Sequence, residues 1–182
     1  PLRLSRIRSA SFTASLLTAA RRTNVLEMRW DQIDFSSATW SIPQTKNGEP
    51  QVVPLSSHMI DVLRCRVEEK RGPWVFPGKG VSGHLVEPKS AWKALCKRAA
   101  LNDLRLHDLR RTNATWQLKG GTSLPDVQKS LNHKTIQATL KYARADLGAV
   151  KKSSQRVAEQ MLAAALNTQA DPTDAVTSNG GL

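Results

Sequence analysis

The sequence predicts an α+β fold, mostly α-helical with a small antiparallel β-hairpin or sheet. Apolar residues recur at helical spacing along most of the chain. Two short apolar runs, 38–43 and 51–55, flank the dipeptide Asn47-Gly48, which is a strong signal for a hairpin turn. Apolar residues make up 40% of the 182 residues, enough for one domain with a hydrophobic core.

The first half of the chain is predicted to hold three helices around this hairpin, which carries Lys46 at its tip. Residues 1–9 form a ragged basic segment without a clear signal for helix or strand. In the third helix, Ile60, Leu63 and Val67 fall on one inward face. The predicted bounds are 10–21, 23–30 with Thr23 as the N-cap, and 58–70 with Ser57 as the N-cap.

The second half is predicted to be helical after a Gly- and Pro-rich loop over 72–83. Gly120-Gly121 predicts the end of one helix, and Pro125 predicts the first turn of the next. Small and polar residues dominate 167–182, which we expect to be a disordered tail. The predicted helices cover residues 88–100, 107–119, 123–131, 135–143 and 147–166.

The charge balance favours a polyanionic partner. The chain has 27 Lys and Arg against 15 Asp and Glu, a net charge of +12. Nucleic acid is the default partner for such a surplus, although charge alone leaves open a merely basic protein. Cys65 and Cys96 lack metal-ligand spacing, so we expect reduced thiols and no metal site. Without a signal peptide or an apolar run of about 20 residues, we expect a cytoplasmic protein.

The single tyrosine, Tyr142, lies nine residues after His133. A tyrosine can break a DNA phosphodiester only where cationic donors meet the charge of the transition state. Arginine suits this purpose because its planar fork binds two phosphate oxygens. The phenol, with a free pKa of about 10, needs a base or a positive field. A lysine or histidine can protonate the departing 5′-oxygen.

Each candidate residue for such a site also has a structural explanation when taken alone. Lys46 can be a solvated turn lysine, and His107 with Arg110 can be a solvated helix face. His133 can be a helix-end residue, and Tyr142 a core or surface residue. The joint order is what favours one site, namely Arg21, Lys46, His107, Arg110, His133 and Tyr142.

Four sequence motifs, in this order, resemble those of the tyrosine recombinases, the phage integrase group. The first contains Arg21 where that family has a catalytic arginine, and the second contains Lys46 in a hairpin turn. The third is His107-Asp108-Leu109-Arg110, and the last places Tyr142 where the nucleophile belongs. The motifs occupy residues 18–30, 45–48 with 53–55, 106–112, and 131–133 with 139–143.

This resemblance implies a tyrosine recombinase catalytic domain over residues 10–166 and a mechanism. Tyr142 is expected to attack the scissile phosphate and form a 3′-phosphotyrosine link. Arg21 and Arg110 are expected to clamp the non-bridging oxygens. The remaining roles are leaving-group protonation by Lys46, assistance to proton transfer by His107 and a hydrogen bond to the phosphate from His133. DNA-binding residues are expected to include Arg22, Lys46, Arg111 and Lys134.

The resemblance also implies partners. We expect double-stranded DNA, and a homotetramer on two DNA sites that passes through a Holliday junction. The last helix, 147–166, either docks on a neighbouring protomer or packs on its own domain. No cofactor is expected, because the phosphotyrosine link conserves the bond energy. The N-terminal DNA-binding domain of the family is absent from this sequence, so we expect a fragment of bacterial, phage or prophage origin.

Two other functions stay open. The first is a non-catalytic DNA-binding fragment of a decayed integrase, and the second is a type IB topoisomerase-like enzyme that nicks and rejoins DNA. Three positions also depart from the family pattern, because Ala19 and Asn132 stand where Gly is usual and Asn24 stands where Glu is frequent. Asn tolerates left-handed backbone better than most residues, so we expect Asn132 to be a mild change.

Overall fold

The chain divides into two compact units, Pro1–Arg144 and Ala145–Leu182. The described residues of the first unit form seven α-helices, a 3-10 helix at Trp30–Gln32 and a three-stranded sheet. This computed structural model describes residues 2–45, 48–143 and 154–163. In the second unit, residues 154–163 are helical. The elements of the first unit are α1 (Leu2–Thr18), α2 (Arg22–Leu26), β1 (Ile33–Asp34), β2 (Thr39–Ile42), β3 (Gln51–Pro54), α3 (Ser57–Val67), α4 (Lys89–Arg98), α5 (Asp108–Lys119), α6 (Leu124–Ser130) and α7 (Gln137–Ala143).

The sheet is antiparallel in the order β1-β2-β3, which confirms the predicted α+β class. Strands β2 and β3 form the predicted hairpin, with Trp40 opposite Val53 and both side chains buried. The turn closes where the amide of Gly48 donates to the carbonyl of Thr45 at 2.8 Å. Gly48 has a φ of +82°, a left-handed conformation that glycine adopts without strain. Lys46, predicted at the tip, lies outside the described residues.

The main hydrophobic core packs α1, α2 and α3 against the sheet and against the loop after α3. Trp40, Met59 and Leu63 have no exposed surface. The loop predicted over 72–83 is not peripheral, because Val75 and Phe76 within it are also fully buried. Its backbone is tied to the core, since the amide of Val75 donates to the carbonyl of Met28 at 2.9 Å. The hairpin and the start of α2 are therefore packed on a close-packed hydrophobic core.

A second, smaller core joins the end of α1 to α5, α6 and α7. It consists of Ala19, Ala114, Val127, Leu131 and Tyr142, each at most 5% exposed. These residues come from the turn after α1 and from α5, α6 with its C-cap, and α7, so their packing holds these four segments together. Most of the predicted site residues lie on those ends.

Two predicted N-caps are wrong. The N-cap of α3 is Ser56, whose hydroxyl accepts a hydrogen bond from the amide of Met59 at 3.3 Å, while Ser57 is the first helical residue. The N-cap of α2 is Arg21, and Thr23 lies within that helix. Adjacent Ser or Thr residues offer equivalent caps, so the local sequence does not decide between them. Helix α6 begins with Pro125 in its first turn as predicted, with Ser123 as its N-cap, and α5 ends at the predicted Gly120.

Other differences come from tertiary contacts. Helix α1 begins at Leu2, within the segment predicted to be ragged, and ends at Thr18 before the predicted bound of 21. On α3, Val67 is 41% exposed, whereas Arg66 is buried. Nη1 of Arg66 donates to Glu69 at 2.5 Å and Nη2 donates to the carbonyl of Val75 at 3.3 Å, so an ion pair and a main-chain acceptor compensate the buried charge.

Within the described parts of the chain, no helix has both the length and the apolarity to cross a membrane. The same residues contain no cluster of three or more His, Cys, Asp or Glu side chains that could hold a metal ion. Of the predicted helix over 147–166, residues 154–163 are described, and Val157 and Met161 are exposed there. The predicted tail, 167–182, lies outside the described residues.

Two neighbouring valines of β3 allow a matched test of the main core. Val53 is 3% exposed and Val52 is 63% exposed. Val53→Ala is expected to lower the free energy of unfolding by about 2 kcal/mol, because two buried methyl groups are lost and a cavity remains. Val52→Ala is expected to cost about 0.5 kcal/mol, since both variants share the loss of strand propensity. Urea denaturation measures both, and equal costs would contradict the packing of β3 on the core.

Candidate active site

Arg110, in the first turn of α5, is the buried centre of the candidate site. It is 5% exposed. Its Nη1 donates to the carbonyl of Ala19 at 2.6 Å, and its Nη2 donates to the carbonyl of Leu131. Burial first, and then the charge of Arg21, lower the pKa of Arg110 to about 10. The guanidinium therefore stays charged at neutral pH, held by backbone dipoles, and no described carboxylate forms a salt bridge with it.

The end of α6 supplies acceptors for both arginines of the candidate site. Asn132 has a φ of +48°, the left-handed conformation that ends many helices and that we expected it to tolerate. Its amide donates to the carbonyl of Lys129 at 2.9 Å, and the amide of His133 donates to the carbonyl of Gln128 at 3.1 Å. This Schellman motif leaves the carbonyl of Asn132 to accept from Nη2 of Arg21 at 3.0 Å.

The end of α1 positions Arg21 in a similar way. Ala19 also has a left-handed backbone, with a φ of +53°, and it has no exposed surface. The hydroxyl of Thr18 donates to the carbonyl of Ala14 at 2.6 Å and accepts from the amide of Ala20 at 3.3 Å. The chain therefore turns sharply after α1 and delivers Arg21 as the N-cap of α2, in extended conformation. Burial lowers the pKa of Arg21.

His133 follows directly on the Schellman turn. Its ring stacks on the ring of Tyr142, with centroids 6.3 Å apart and planes 20° apart. Its Nδ1 lies 2.9 Å from the hydroxyl of Thr139, and its carbonyl accepts from the side-chain amide of Gln128 at 3.0 Å. Burial, then the charge of Arg110 and further cations, lower the pKa of His133 to about 4. The imidazole is therefore neutral at physiological pH.

Tyr142 lies on α7 with its ring packed into the second core, and it is 5% exposed. The ammonium of Lys141 lies 5.1 Å from the centre of this ring. Ionisation of Tyr142 would raise the pKa of Arg110, so the phenol and the guanidinium are within electrostatic range of each other. The arrangement places a potential oxygen nucleophile within electrostatic range of a fixed cation.

His107 is the N-cap of α5, three residues before Arg110, and its side chain is exposed. Partial desolvation, then the charge of Arg110, lower the pKa of His107, while Asp108 opposes this shift. The predicted helix face that carries His107 and Arg110 therefore exists, and the two side chains interact electrostatically. Because its pKa is lowered, the exposed imidazole of His107 is mainly neutral near neutral pH, which leaves a ring nitrogen free to take part in proton transfer.

Three of the candidate residues for DNA contact lie on the surface of the protein. Arg22, Arg111 and Lys134 are all exposed. Arg111 lines an open surface cavity of about 580 Å³ together with Trp116, so it lies apart from the neighbouring Arg110. The predicted role of Arg111 in DNA binding stays a prediction.

The position of Lys46 is outside the described residues, but the preceding residue is tied to the site. The side-chain amide of Asn132 donates to the hydroxyl of Thr45 at 3.2 Å. The side-chain amide of Gln51 donates to the carbonyl of Ser130 at 3.0 Å. Both ends of the hairpin turn are therefore attached to the C-terminal end of α6, next to the acceptors of the two arginines.

Sequence reasoning missed the groups that position the candidate residues. Three of them are main-chain carbonyls, at Ala19, Leu131 and Asn132, which no side-chain pattern can reveal. The left-handed positions did carry a signal, because Ala19 and Asn132 stand where glycine is usual. Thr139 also carried a signal, since it lies three residues before Tyr142 and so shares its helix face.

Comparison with known sequences finds one family. A model of the phage integrase family matches residues 4–148. The integrase of Salmonella phage P22 is 30% identical over 143 residues, which are 71% of this chain and 37% of that protein. The prophage integrase IntF of Escherichia coli strain K12 is 30% identical over 160 residues, 83% of this chain and 34% of that protein. The chain spans about a third of the length of these relatives.

Solved structures share the fold at low sequence identity. The catalytic domain of bacteriophage HP1 integrase has a TM-score of 0.60 at 19% identity, covering 84% of this chain and 89% of that one. XerA recombinase has a TM-score of 0.66 at 16% identity, covering 84% and 62%. XerH site-specific recombinase bound to difH substrate has a TM-score of 0.66 at 16% identity, covering 82% and 46%. These likenesses confirm the predicted fold.

The electrostatics of His133 can be tested in solution. Its pKa of about 4 lies below the ordinary value of 6.5, so the unfolded chain binds this proton first. Protonation of His133 therefore lowers the free energy of unfolding as the pH falls from about 6.5 to about 4. Above this window the ring is neutral in both the folded and the unfolded state, so it causes no further change in stability with pH. Titration of the ring resonances by NMR, assigned with His133→Asn, is expected to give a midpoint well below pH 6. A midpoint above 6.5 would contradict the cationic surroundings of the ring.

Proposed function

The chain belongs to the phage integrase family, and we propose that it is the catalytic domain of a site-specific DNA recombinase that cleaves DNA through Tyr142. The observation that carries this proposal is the convergence of two arginines, a neutral histidine and a tyrosine on the α6–α7 turn. Arg21 and Arg110 bind neighbouring carbonyls of that turn, His133 follows it, and Tyr142 stacks on His133. A tetrahedral anionic group matches such a set of donors.

In the proposed reaction, the phenolic oxygen of Tyr142 forms a bond to the scissile phosphorus, and the bond from phosphorus to the 5′-oxygen breaks. Arg21 and Arg110 stabilise the charge on the non-bridging oxygens. Lys46 gives a proton to the leaving 5′-oxygen, and His107 assists by accepting the proton that the phenol loses. His133 donates a hydrogen bond to the phosphate. A free 5′-hydroxyl of a partner strand then attacks the phosphotyrosine, which reverses the step without a nucleotide cofactor.

Double-stranded DNA is the proposed partner, and two relatives of known structure were solved with DNA. XerH is bound to difH substrate, and the Tn1549 transposon integrase is in complex with circular intermediate DNA. The exposed basic residues Arg22, Arg111 and Lys134 are suited to contact phosphates, which would make affinity fall with salt. We further propose a homotetramer on two DNA sites in the bacterial cytoplasm, with the segment 147–166 docking between protomers.

Two other functions make different predictions for the same site. A non-catalytic DNA-binding fragment would bind DNA without forming a covalent adduct. A type IB topoisomerase-like enzyme would form the adduct but rejoin only the strand that it cut. The mutual support of the buried Arg110, the left-handed turns and the stacked His133 favours a site under functional constraint. Strand joining between two different duplexes separates a recombinase from a topoisomerase.

The role of Tyr142 as the nucleophile can be tested with a pool of nicked DNA duplexes. Cleavage near the nick releases a short fragment that diffuses away, so the covalent protein–DNA adduct cannot be reversed and accumulates. We expect covalent DNA on a peptide that contains Tyr142, and loss of this adduct in Tyr142→Phe. The variant is expected to keep its fold and DNA affinity, because the ring remains and only one hydroxyl is removed. Denaturing electrophoresis and peptide mass measurement detect the adduct, and a gel-shift assay measures binding. DNA binding without any adduct in the unaltered chain would favour the non-catalytic fragment.

A change of leaving group can distinguish proton donation by Lys46 from a contribution of Lys46 to DNA binding. Lys46→Ala is expected to slow cleavage by about 100-fold on normal DNA, because the 5′-oxygen leaves without a proton. A 5′-bridging sulfur leaves readily as a thiolate, so cleavage of a sulfur-substituted duplex is expected to be nearly unaffected. Quenched-flow measurement on the sequence recovered from the pool compares the two substrates.

Arg110→Lys serves as the matched control for this comparison. It is expected to slow both substrates, because Arg110 is proposed to act on the non-bridging oxygens rather than on the leaving group. Equal losses for Lys46→Ala on oxygen and sulfur would argue against general-acid catalysis by Lys46.

A further inference from the structure

Thr139 is a buried polar residue to which the proposed chemistry gives no role. It has no exposed surface and lies on α7, three residues before Tyr142. Its hydroxyl oxygen is 2.9 Å from Nδ1 of His133, six residues earlier. A buried hydroxyl destabilises a protein unless a hydrogen bond satisfies it, so this contact is what permits Thr139 at this position.

The direction of that hydrogen bond follows from counting donors and acceptors. A threonine hydroxyl carries one proton, and a neutral imidazole carries one proton on either Nδ1 or Nε2. Among the described residues, Nδ1 of His133 is the one hydrogen-bond partner of the Thr139 hydroxyl. If Nδ1 carried the ring proton, the buried hydroxyl proton would have no acceptor. If the hydroxyl donates to Nδ1, both groups are satisfied and the ring proton resides on Nε2.

Two further observations agree with this assignment. The ring is neutral, because burial and the nearby charges of Arg110, Lys141 and Arg21 lower the pKa of His133. The stacking on Tyr142 and the hydrogen bond from Gln128 to the carbonyl of His133 fix the plane of the ring and its backbone. The hydroxyl of Thr139 then selects which ring nitrogen carries the proton.

We propose that Thr139 is a positioning residue that holds His133 in the tautomer with the proton on Nε2. This inference rests on the proposed function and assigns the chemistry of one of its residues. His133 then offers an N–H donor to a phosphate oxygen and cannot act as the base that takes the proton of Tyr142. The exposed His107 is left as the histidine available for proton transfer.

The tautomer can be read directly by NMR on the whole chain with ¹⁵N-labelled histidine. The two ring nitrogens of His133 have distinct shifts, pyridine-like without a proton and pyrrole-like with one, and His133→Asn identifies the signals. We expect a pyrrole-like Nε2 and a pyridine-like Nδ1 in the unaltered chain. The same pattern is expected in Thr139→Ser, which keeps the hydroxyl. A pyrrole-like Nδ1 in the unaltered chain would overturn the proposal.

Thr139→Val removes the hydroxyl and keeps the shape of the side chain. It is expected to give averaged nitrogen shifts from mixed tautomers and to slow adduct formation by about 10-fold, less than the loss of a whole donor. Thr139→Ser is expected to stay within about twofold of the unaltered chain, which separates the hydroxyl from packing. A Thr139→Val protein with unchanged shifts and unchanged rate would overturn the proposal.

These experiments distinguish the role of Thr139 from the proposed cleavage of DNA by Tyr142. If no variant forms an adduct but the NMR pattern is as expected, the assignment of Thr139 stands and the proposed cleavage fails. If the unaltered chain cleaves DNA while its Nδ1 carries the proton, the proposed cleavage stands and the role of Thr139 is wrong. If Thr139→Val does not fold, the shifts of the unaltered chain and of Thr139→Ser still decide the tautomer.

Discussion

The buried guanidinium of Arg110 is the constraint around which the candidate site is arranged. A charge that is removed from water must find partners, and here two main-chain carbonyls provide them. Those carbonyls belong to Ala19 and Leu131, at the ends of two different helices. Both helix ends use a left-handed residue, Ala19 or Asn132. The same turns that end the two helices therefore also place the carbonyls that bind the guanidinium of Arg110. The second hydrophobic core lies between the same segments and holds them together.

The electrostatics of the site follow from that arrangement. The charge of Arg21 adds to burial in lowering the pKa of Arg110, and burial together with the nearby cations keeps His133 neutral. Two like charges held in place by dipoles form a costly arrangement in a free protein, and a bound anion would relieve the cost. A neutral His133 can donate one hydrogen bond without adding a third charge. The chemistry proposed for Tyr142 fits this combination, because a positive field is one of the ways in which a phenol becomes a good nucleophile.

Local sequence predicted those elements whose signals are local. Asn47-Gly48 predicted the hairpin, and Gly120-Gly121 predicted the end of α5. The two-residue strand β1 is too short to show a period, and the burial of Arg66 depends on Glu69 and on the carbonyl of Val75. The candidate residues could be named from the sequence because their polar side chains recur in a recognisable order. Their main-chain supports could not, because a carbonyl has no identity in a sequence. The spacing of Thr139 from Tyr142 indicates a shared helix face, but its contact with His133 is visible only in the structure.

The hydrogen bonds that hold the arginines join distant parts of the chain. Arg110 reaches Ala19 across 91 positions, and Arg21 reaches Asn132 across 111. Such contacts close large loops, so they form late in folding and are lost together when the domain opens. A nascent or partly unfolded chain therefore does not yet hold the two guanidinium groups in their folded positions. The proposed cleavage of DNA would then depend on completion of the fold, so unfinished protein would not break the genome.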